Sequence, residues 1–512
     1  MKFKLQFFII FLLLKSSTYA KPNILFLVVD DLRPSLQVYG DQNSYTPNIN
    51  KLAAKSYLFT KAYAQQALCA PSRNSFLTSR RPDSLHLYDF YSYWRDVVGN
   101  FTTIPQFFKE NGYHTYSIGK VFHPGASSNW SDDSPYSWSK KPYHPSTEKY
   151  TNAKVCVSSD GGLARNLICP IILEEQPQKI LPDQQSLNAA IKYLEIQKNN
   201  SKPYFLAVGF HKPHIPFKFP SEYLTFHPLN KIKFPKNSFQ PPLLPSVAWN
   251  PWTDLRKRDD IKKLNISFPF GRMPKNVTLK IIQSYHASLT YVDHLIGKLL
   301  EKVDKNTIIV LFGDHGWSMG EHGEFAKYSN FEVAAKVPLI IRVPKLNEGH
   351  IISHELVELV DLFPTLVHLS GLSSGMQTCP KDKTVKLCTE GKSLVPLMVS
   401  LAHGQAYEGK KAIFYQYPRP GTFPTQHPNS DKPTLHEIKI MGYSIKTKQF
   451  RYTMWTYFDN EKFTPNWKKV YATELYDHLF DPEEENNLAG KASLSNLENS
   501  LKTALIKGWR YI

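Results

Sequence analysis

Residues 69–80, "CAPSRNSFLTSR", open with a cysteine and carry an arginine four positions later. Pro71 suits the first turn of a helix, so the segment predicts a helix whose free N–H groups attract an anion. A nucleophile held there, with Arg73 beside it, would face an anionic substrate; the competing reading of Cys69 is a buried, inert thiol. Two other stretches bring acids. "PNILFLVVDD", Pro22 to Asp31, and "TIIVLFGDHG", Thr307 to Gly316, are near-continuous apolar runs leading into Asp30–Asp31 and Asp314–His315. Such runs read as buried parallel strands with functional groups at their carboxyl ends. For either pair alone, a turn or helix-capping acid fits as well as a metal ligand. "SIGKVFHPG" and "AVGFHKPHIPF" place Lys120 and His123, then His211 and His214, just beyond two further strands, His114 to Lys120 and Tyr204 to Phe210.

The compartment decides what the cysteine means. Residues 1–20 carry Lys2 and Lys4, an apolar run from Phe7 to Leu14, and Thr18 and Ala20 at a cleavable end, the pattern of a secretion signal. The apolar run is too short for a membrane anchor, which needs about 20 residues, and no later segment reads as membrane-spanning. Sequons at Asn100, Asn129, Asn199, Asn265 and Asn276 fit the same route. Of five cysteines, Cys156 with Cys169 and Cys379 with Cys388 are each close enough in sequence to close a small disulfide. Cys69 is the odd one.

Cys69-Ala-Pro-Ser-Arg followed by Leu77-Thr78-Ser79-Arg80 resembles the signature of the sulfatase family, with Ser79 where the family usually has glycine. The resemblance implies that Cys69 is oxidised by the formylglycine-generating enzyme to formylglycine. One hydroxyl of the hydrated aldehyde attacks the sulfate ester and the other expels sulfate, an exit that a thiolate lacks. It also implies one calcium ion held by Asp30, Asp31, Asp314, His315 and the modified Cys69, with histidine at a position where many members have asparagine. Lys120 and Lys327 would contact sulfate oxygens and Arg73 would orient the formylglycine. His123 would assist deprotonation, and His214 would protonate the leaving sugar oxygen, leaving His211 a structural role. Within the family the likeness is narrowest to members that take the 2-O-sulfate from non-reducing-end L-iduronate of heparan and dermatan sulfate. It rests on "RRPDSLHLYDFYSYWR", "GKVFHPG", "HKPHIPF", "DHGWSMGEHGEFAKYSNF" and "NSDKPTLHEIKIMGYSI". Trp317, Lys327 and Tyr328 are the expected sugar contacts, and a lysosomal destination follows from the same likeness. A sulfatase of another specificity, a phosphatase-like relative and an inactive secreted binder of sulfated glycans are the other readings.

These residues need a scaffold. Apolar strands alternate with helical stretches at Asn50 to Thr60, Thr103 to Asn111 and Thr278 to Val303, which predicts an α/β domain with a large, mainly parallel sheet flanked by helices. With the sulfatase likeness, the expectation is an alkaline-phosphatase-like catalytic domain over residues 21–400. A polar linker at 401–411 leads to a C-terminal subdomain at 412–512, with antiparallel strands at "AIFYQYP", "KIMGYSIKT" and "FRYTMWTYF" before a last helix. Lys and Arg outnumber Asp and Glu 62 to 44, and the net charge of +18 falls by three when Lys2, Lys4 and Lys15 leave with the signal. A basic surface suits a sulfated glycosaminoglycan; the secretory route disfavours nucleic acid.

Overall fold

The computed structural model describes residues 21–158, 161–344, 346, 349–381 and 385–512; the expected signal segment, residues 1–20, lies outside them. Seven strands form the main sheet: β1 Ile24–Val29, β2 Tyr57–Tyr63, β3 His114–Gly119, β4 Tyr204–Phe210, β5 Ile308–Gly313, β6 Lys336–Arg342 and β7 Ile351–Glu358. Their spatial order is β7-β2-β6-β5-β1-β4-β3. Neighbours pair in parallel except around β6, which runs antiparallel to both β2 and β5. The sheet is therefore mixed, with one reversed strand that its uniform apolar pattern did not distinguish.

Strand β1 shows why these runs lack polar residues. Leu25, Leu27 and Val29 pack into one core layer, and Ile24, Phe26 and Val28 pack into the opposite one. The first layer is shared with helices Pro47–Ala53, Pro182–Gln197 and Lys275–Leu300. The second takes helices Cys69–Thr78 and Ile104–Glu110 together with Leu362–Leu369 and Val395–Ala402. Phe76, on the helix that begins with Cys69, sits edge-on against Phe312 with ring centroids 4.9 Å apart and 6.0 Å from Phe26. Removing such a buried ring costs about 3–5 kcal/mol, so this contact fixes the helix, and with it Cys69, against the sheet.

The expected helix over Asn50 to Thr60 is corrected. Only its first part is helical, and from Tyr57 the chain is β2, whose Tyr57, Leu58 and Phe59 are buried between β6 and β7. Apolar residues suited to a helix face there run straight into a buried strand. The helix Val395–Ala402 is followed by residues 403–411 and then by a four-stranded antiparallel sheet. Its strands are β8 Ala412–Arg419, β9 Ile440–Thr447, β10 Phe450–Asp459 and β11 Thr464–Asp477, backed by helix Ser495–Lys507. Among the described residues no helix is long and apolar enough to cross a membrane. Cys156 is bonded to Cys169 and Cys379 to Cys388, and Cys69 is free.

Candidate active site

Strand register builds the site. Val29 stands level with Phe210 on one side and Gly313 on the other, so Asp30, His211 and Asp314 leave the sheet side by side. Gly119 pairs with Gly209, after which the Lys120 N–H donates to the Gly209 carbonyl at 3.0 Å. A Cβ at Gly209 would lie 2.0 Å from the Lys120 carbonyl oxygen, so only glycine permits this approach. The helix starting at Cys69 is buried along its whole length and directs its N-terminus into the same cluster.

Around the Cys69 sulfur lie Lys327 Nζ at 3.1 Å, His315 Nε2 at 3.3 Å, Asp30 Oδ1 at 3.5 Å and Lys120 Nζ at 3.7 Å. Burial pushes the thiol up to about 12, and the Asp30 charge acts in the same direction. A sulfhydryl so held stays protonated and is a poor nucleophile as cysteine. Arg73 donates from Nη2 to Asp30 Oδ1 at 3.0 Å and from Nε to Asp314 Oδ2 at 2.9 Å, and Nη1 reaches the carbonyls of Lys120 and Val121. Lys120 pairs with Asp30 at 2.5 Å and Lys327 with Asp31 at 2.6 Å.

Three carboxylates and three fixed cations thus nearly cancel, yet unevenly. Burial opposes ionisation of Asp30, but Lys120, His214 and Arg73 hold its carboxyl well below the usual range. Burial raises Asp31 instead; Lys327 opposes this, while Asp30 and Asp314 add to it. Asp31 Oδ2 is buried without a hydrogen-bond partner, which is where a cation would complete the site. Asp30, Cys69, Asp314 and His315 bring ligand atoms within 4.8 Å of one another. His315 Nδ1 lies 3.0 Å from the Gly316 carbonyl and must donate to it, which leaves the Nε2 lone pair turned inward. The donor set fits a metal ion.

Both catalytic histidine candidates border this cluster. His214 Nδ1 donates to the Ile215 carbonyl at 2.7 Å, and Nε2 stands 3.9 Å from Asp31 Oδ2. His123 packs against Phe90 with ring centroids 4.5 Å apart and the planes tilted by 39°, and its Nδ1 is buried without a partner. Burial holds both rings well below the ordinary histidine value, and Lys120 and Lys327 act in the same direction. Trp317 and Tyr328 are placed differently from Lys327. Trp317, 1% exposed, packs against Phe217 and Tyr285, and Tyr328, 2% exposed, donates its hydroxyl to Asp254 at 2.5 Å. Both rings support the loop and present no accessible face to a sugar.

Ser79 now has a reason. It caps the helix in the left-handed region with φ 54°, a conformation that favours glycine. Its hydroxyl bonds the Val360 carbonyl and Thr389 Oγ1, partners glycine could not use. Other supports carry no sequence signature. Asn250 Nδ2 donates to the backbone carbonyls of Phe325 and Lys327, steadying the lysine from a distant loop. Asp183 accepts the N–H groups of His211 and Lys212 at 2.7 and 2.9 Å, while the His211 ring lies between Asp183 and Glu148. Although burial disfavours the imidazolium, those carboxylates raise His211 to about 9. Its stabilisation is complete below the unfolded value of about 6.5 and disappears as pH rises through about 9. His211→Asn should therefore lower the melting temperature clearly near pH 5.5 and hardly at all near pH 10, as read by thermal melts across that range; an equal loss at both ends would remove the charged clamp.

The sulfatase family profile matches residues 22–372, more than half of the sequence. The chain belongs to the sulfatase family. A second profile, N-sulphoglucosamine sulphohydrolase, C-terminal, matches residues 320–510. This sulfatase is 48% identical to iduronate 2-sulfatase of Mus musculus over 94% of this chain and 93% of the relative. It is 49% identical to iduronate 2-sulfatase of Homo sapiens over 92% of each. A solved structure in complex with its substrate D-glucosamine-2-N,6-O-disulfate superposes with a TM-score of 0.67 at 22% identity, covering 95% of this chain and 97% of that one. This last likeness bears on the fold alone, and the fold is the alkaline-phosphatase-like one expected of a sulfatase. Membership implies a formylglycine and a metal ion, for which Cys69 and the acid cluster are the matching groups.

Proposed function

We propose that this sulfatase removes the 2-O-sulfate from non-reducing-end L-iduronate of heparan and dermatan sulfate. The observation that carries this reading is near 50% identity to two iduronate 2-sulfatases over more than nine-tenths of the chain, a span that takes in the loops around the site, where specificity is set. Formylglycine at Cys69, made by the formylglycine-generating enzyme, supplies a hydrated aldehyde with two hydroxyls on one carbon. Asp30, Asp31 and Asp314, with hard oxygen donors, and His315, through Nε2, would hold calcium, which would supply positive charge for the anionic groups that meet there.

The chain's own groups do the rest. Lys120 and Lys327 flank the Cys69 sulfur, which occupies the place of the formylglycine oxygens, and so they face the sulfate oxygens of an ester brought to that atom. Arg73, fixed by two carboxylates and two carbonyls, holds the nucleophile's position. His123 is neutral with an unpartnered ring nitrogen and accepts a proton from the hydroxyl. His214 donates to the departing sugar oxygen; the negative sulfate, on binding, favours the imidazolium that this step needs. Accessible sequon asparagines at Asn100, Asn129, Asn199, Asn265 and Asn276 and two disulfides support passage through the secretory route. The destination we propose is the lysosome.

A panel of defined sulfated disaccharides assayed from acid to neutral pH tests the substrate. Terminal 2-sulfated iduronate should be turned over at least tenfold faster than sulfated glucosamine or galactosamine, with a loss of rate when the uronate carboxyl is reduced. Equal turnover across the panel would remove the iduronate assignment. His214→Ala should reduce glycan desulfation by about 100-fold or more and spare an aryl sulfate, whose phenolate leaves without an acid.

A further inference from the structure

The segment that carries His214 joins β4 to the short strand Phe217–Pro220 and reads His-Lys-Pro-His-Ile-Pro over residues 211–216. Pro213 and Pro216 have no N–H, so this turn is short of the donors that would tie its own carbonyls together. The His214 N–H donates back to the His211 carbonyl at 2.8 Å, and the Pro216 carbonyl takes the Lys218 N–H at 2.8 Å. The rest falls to a side chain. Lys212 Nζ donates to the His214 carbonyl and, at 2.6 Å, to the Pro216 carbonyl.

Between those two carbonyls stands that of Ile215, which accepts the His214 ring N–H at Nδ1 at 2.7 Å. One lysine thus braces the peptide groups on either side of the one that aims the imidazole. Nε2 is left directed at the charged cluster, 3.9 Å from Asp31 Oδ2. The start of the segment is held separately, by Asp183 at the N–H groups of His211 and Lys212, so the lysine side chain governs the half that carries the ring. A cavity of about 60 Å³ borders that half at Lys212, His214, Ile215 and Pro216. The chain therefore has room to shift once the brace is gone.

We propose that Lys212 is a positioning residue for the desulfation reaction, acting through the His214 backbone to hold the imidazole where it meets the departing sugar oxygen. This rests on the reading of His214 as the acid for that oxygen. Lys212→Met keeps most of the stem and removes the donors. In the full-length secreted protein, with rates referred to formylglycine content, it should lower kcat for the terminal 2-sulfated iduronate disaccharide about 20-fold, with KM within about twofold. An aryl sulfate, which needs no acid, should slow less than about threefold. Added to His214→Ala, the change should cost less than about twofold more, because the group it positions is already gone. Lys212→Arg keeps donors and should lose less than Lys212→Met on the disaccharide; Lys212→Gln, with a shorter side chain, serves in place of the methionine variant if that one is not secreted. Equal losses on both substrates would overturn the positioning role, and multiplicative losses in the double variant would overturn its action through His214. Faster disaccharide turnover would also overturn it, since the lysine charge, which disfavours the His214 imidazolium, would then outweigh the hydrogen bonds. Should His214→Ala slow both substrates alike, the acid reading falls, and the double variant still decides whether Lys212 acts through His214.

Discussion

Cys69→Ser should give a folded protein whose turnover falls by about three orders of magnitude or more. The serine hydroxyl fills the place of a sulfur that sits among Lys327, His315, Asp30 and Lys120, so the charged cluster keeps its geometry and substrate can still bind. What is lost is the second hydroxyl on the same carbon. A sulfated serine has no internal route to release sulfate, and the variant should show at most a single turnover in rapid-mixing assays. Steady turnover at the parental rate would mean that the nucleophile lies elsewhere.

Replacement of Asp314 should be comparably damaging for a different reason. Its Oδ1 accepts the N–H groups of Asp31 and His315, each at 3.0 Å, and its Oδ2 holds Arg73 at 2.9 Å. Asp314→Ala would strip one partner from a fully buried guanidinium and leave two buried N–H groups unpaired. Breaking a buried pair in this way costs about 3–5 kcal/mol, and on the proposed ligand role the site would also lose a charged donor for its metal. Activity should drop at least about 1,000-fold with a lowered melting temperature. Asp314→Asn separates the two roles, since it keeps an Oδ1 acceptor and removes the charge. Because its amide NH2 would face Arg73 Nε, it should melt below the parent but above Asp314→Ala, while losing the proposed calcium and activity, measured together by elemental analysis and turnover. An Asn variant with full metal content and full rate would contradict a ligand role for Asp314.

The acids were legible because a strand buried on both faces must be apolar, so Asp30, Asp31 and Asp314 stand out where the runs end. Histidines and lysines after strands β3 and β4 were legible for the same reason. What supports them was not. Asn250 lies 77 positions from the Lys327 carbonyl it binds, and Asp183 and Glu148 reach His211 from separate segments. Such contacts follow from packing and leave no local spacing. The loop aromatics misled because a tryptophan beside Asp314 reads equally as sugar platform or core, and the structure gives Trp317 aromatic neighbours on Phe217 and Tyr285. Strand β11 escaped because much of it is exposed and lysine-bearing, with a pattern of outward-facing residues rather than an apolar run.

The central claim is that Cys69 works as formylglycine, and peptide mass spectrometry of the secreted, active protein tests it most directly. The peptide containing residues 69–73 should be about 18 Da lighter than its cysteine form, by loss of sulfur and two hydrogens and gain of one oxygen. The share of the lighter peptide should rise in proportion to specific activity when preparations of different conversion are compared. Fully active protein carrying only unmodified Cys69, or Cys69 in a disulfide, would contradict the account.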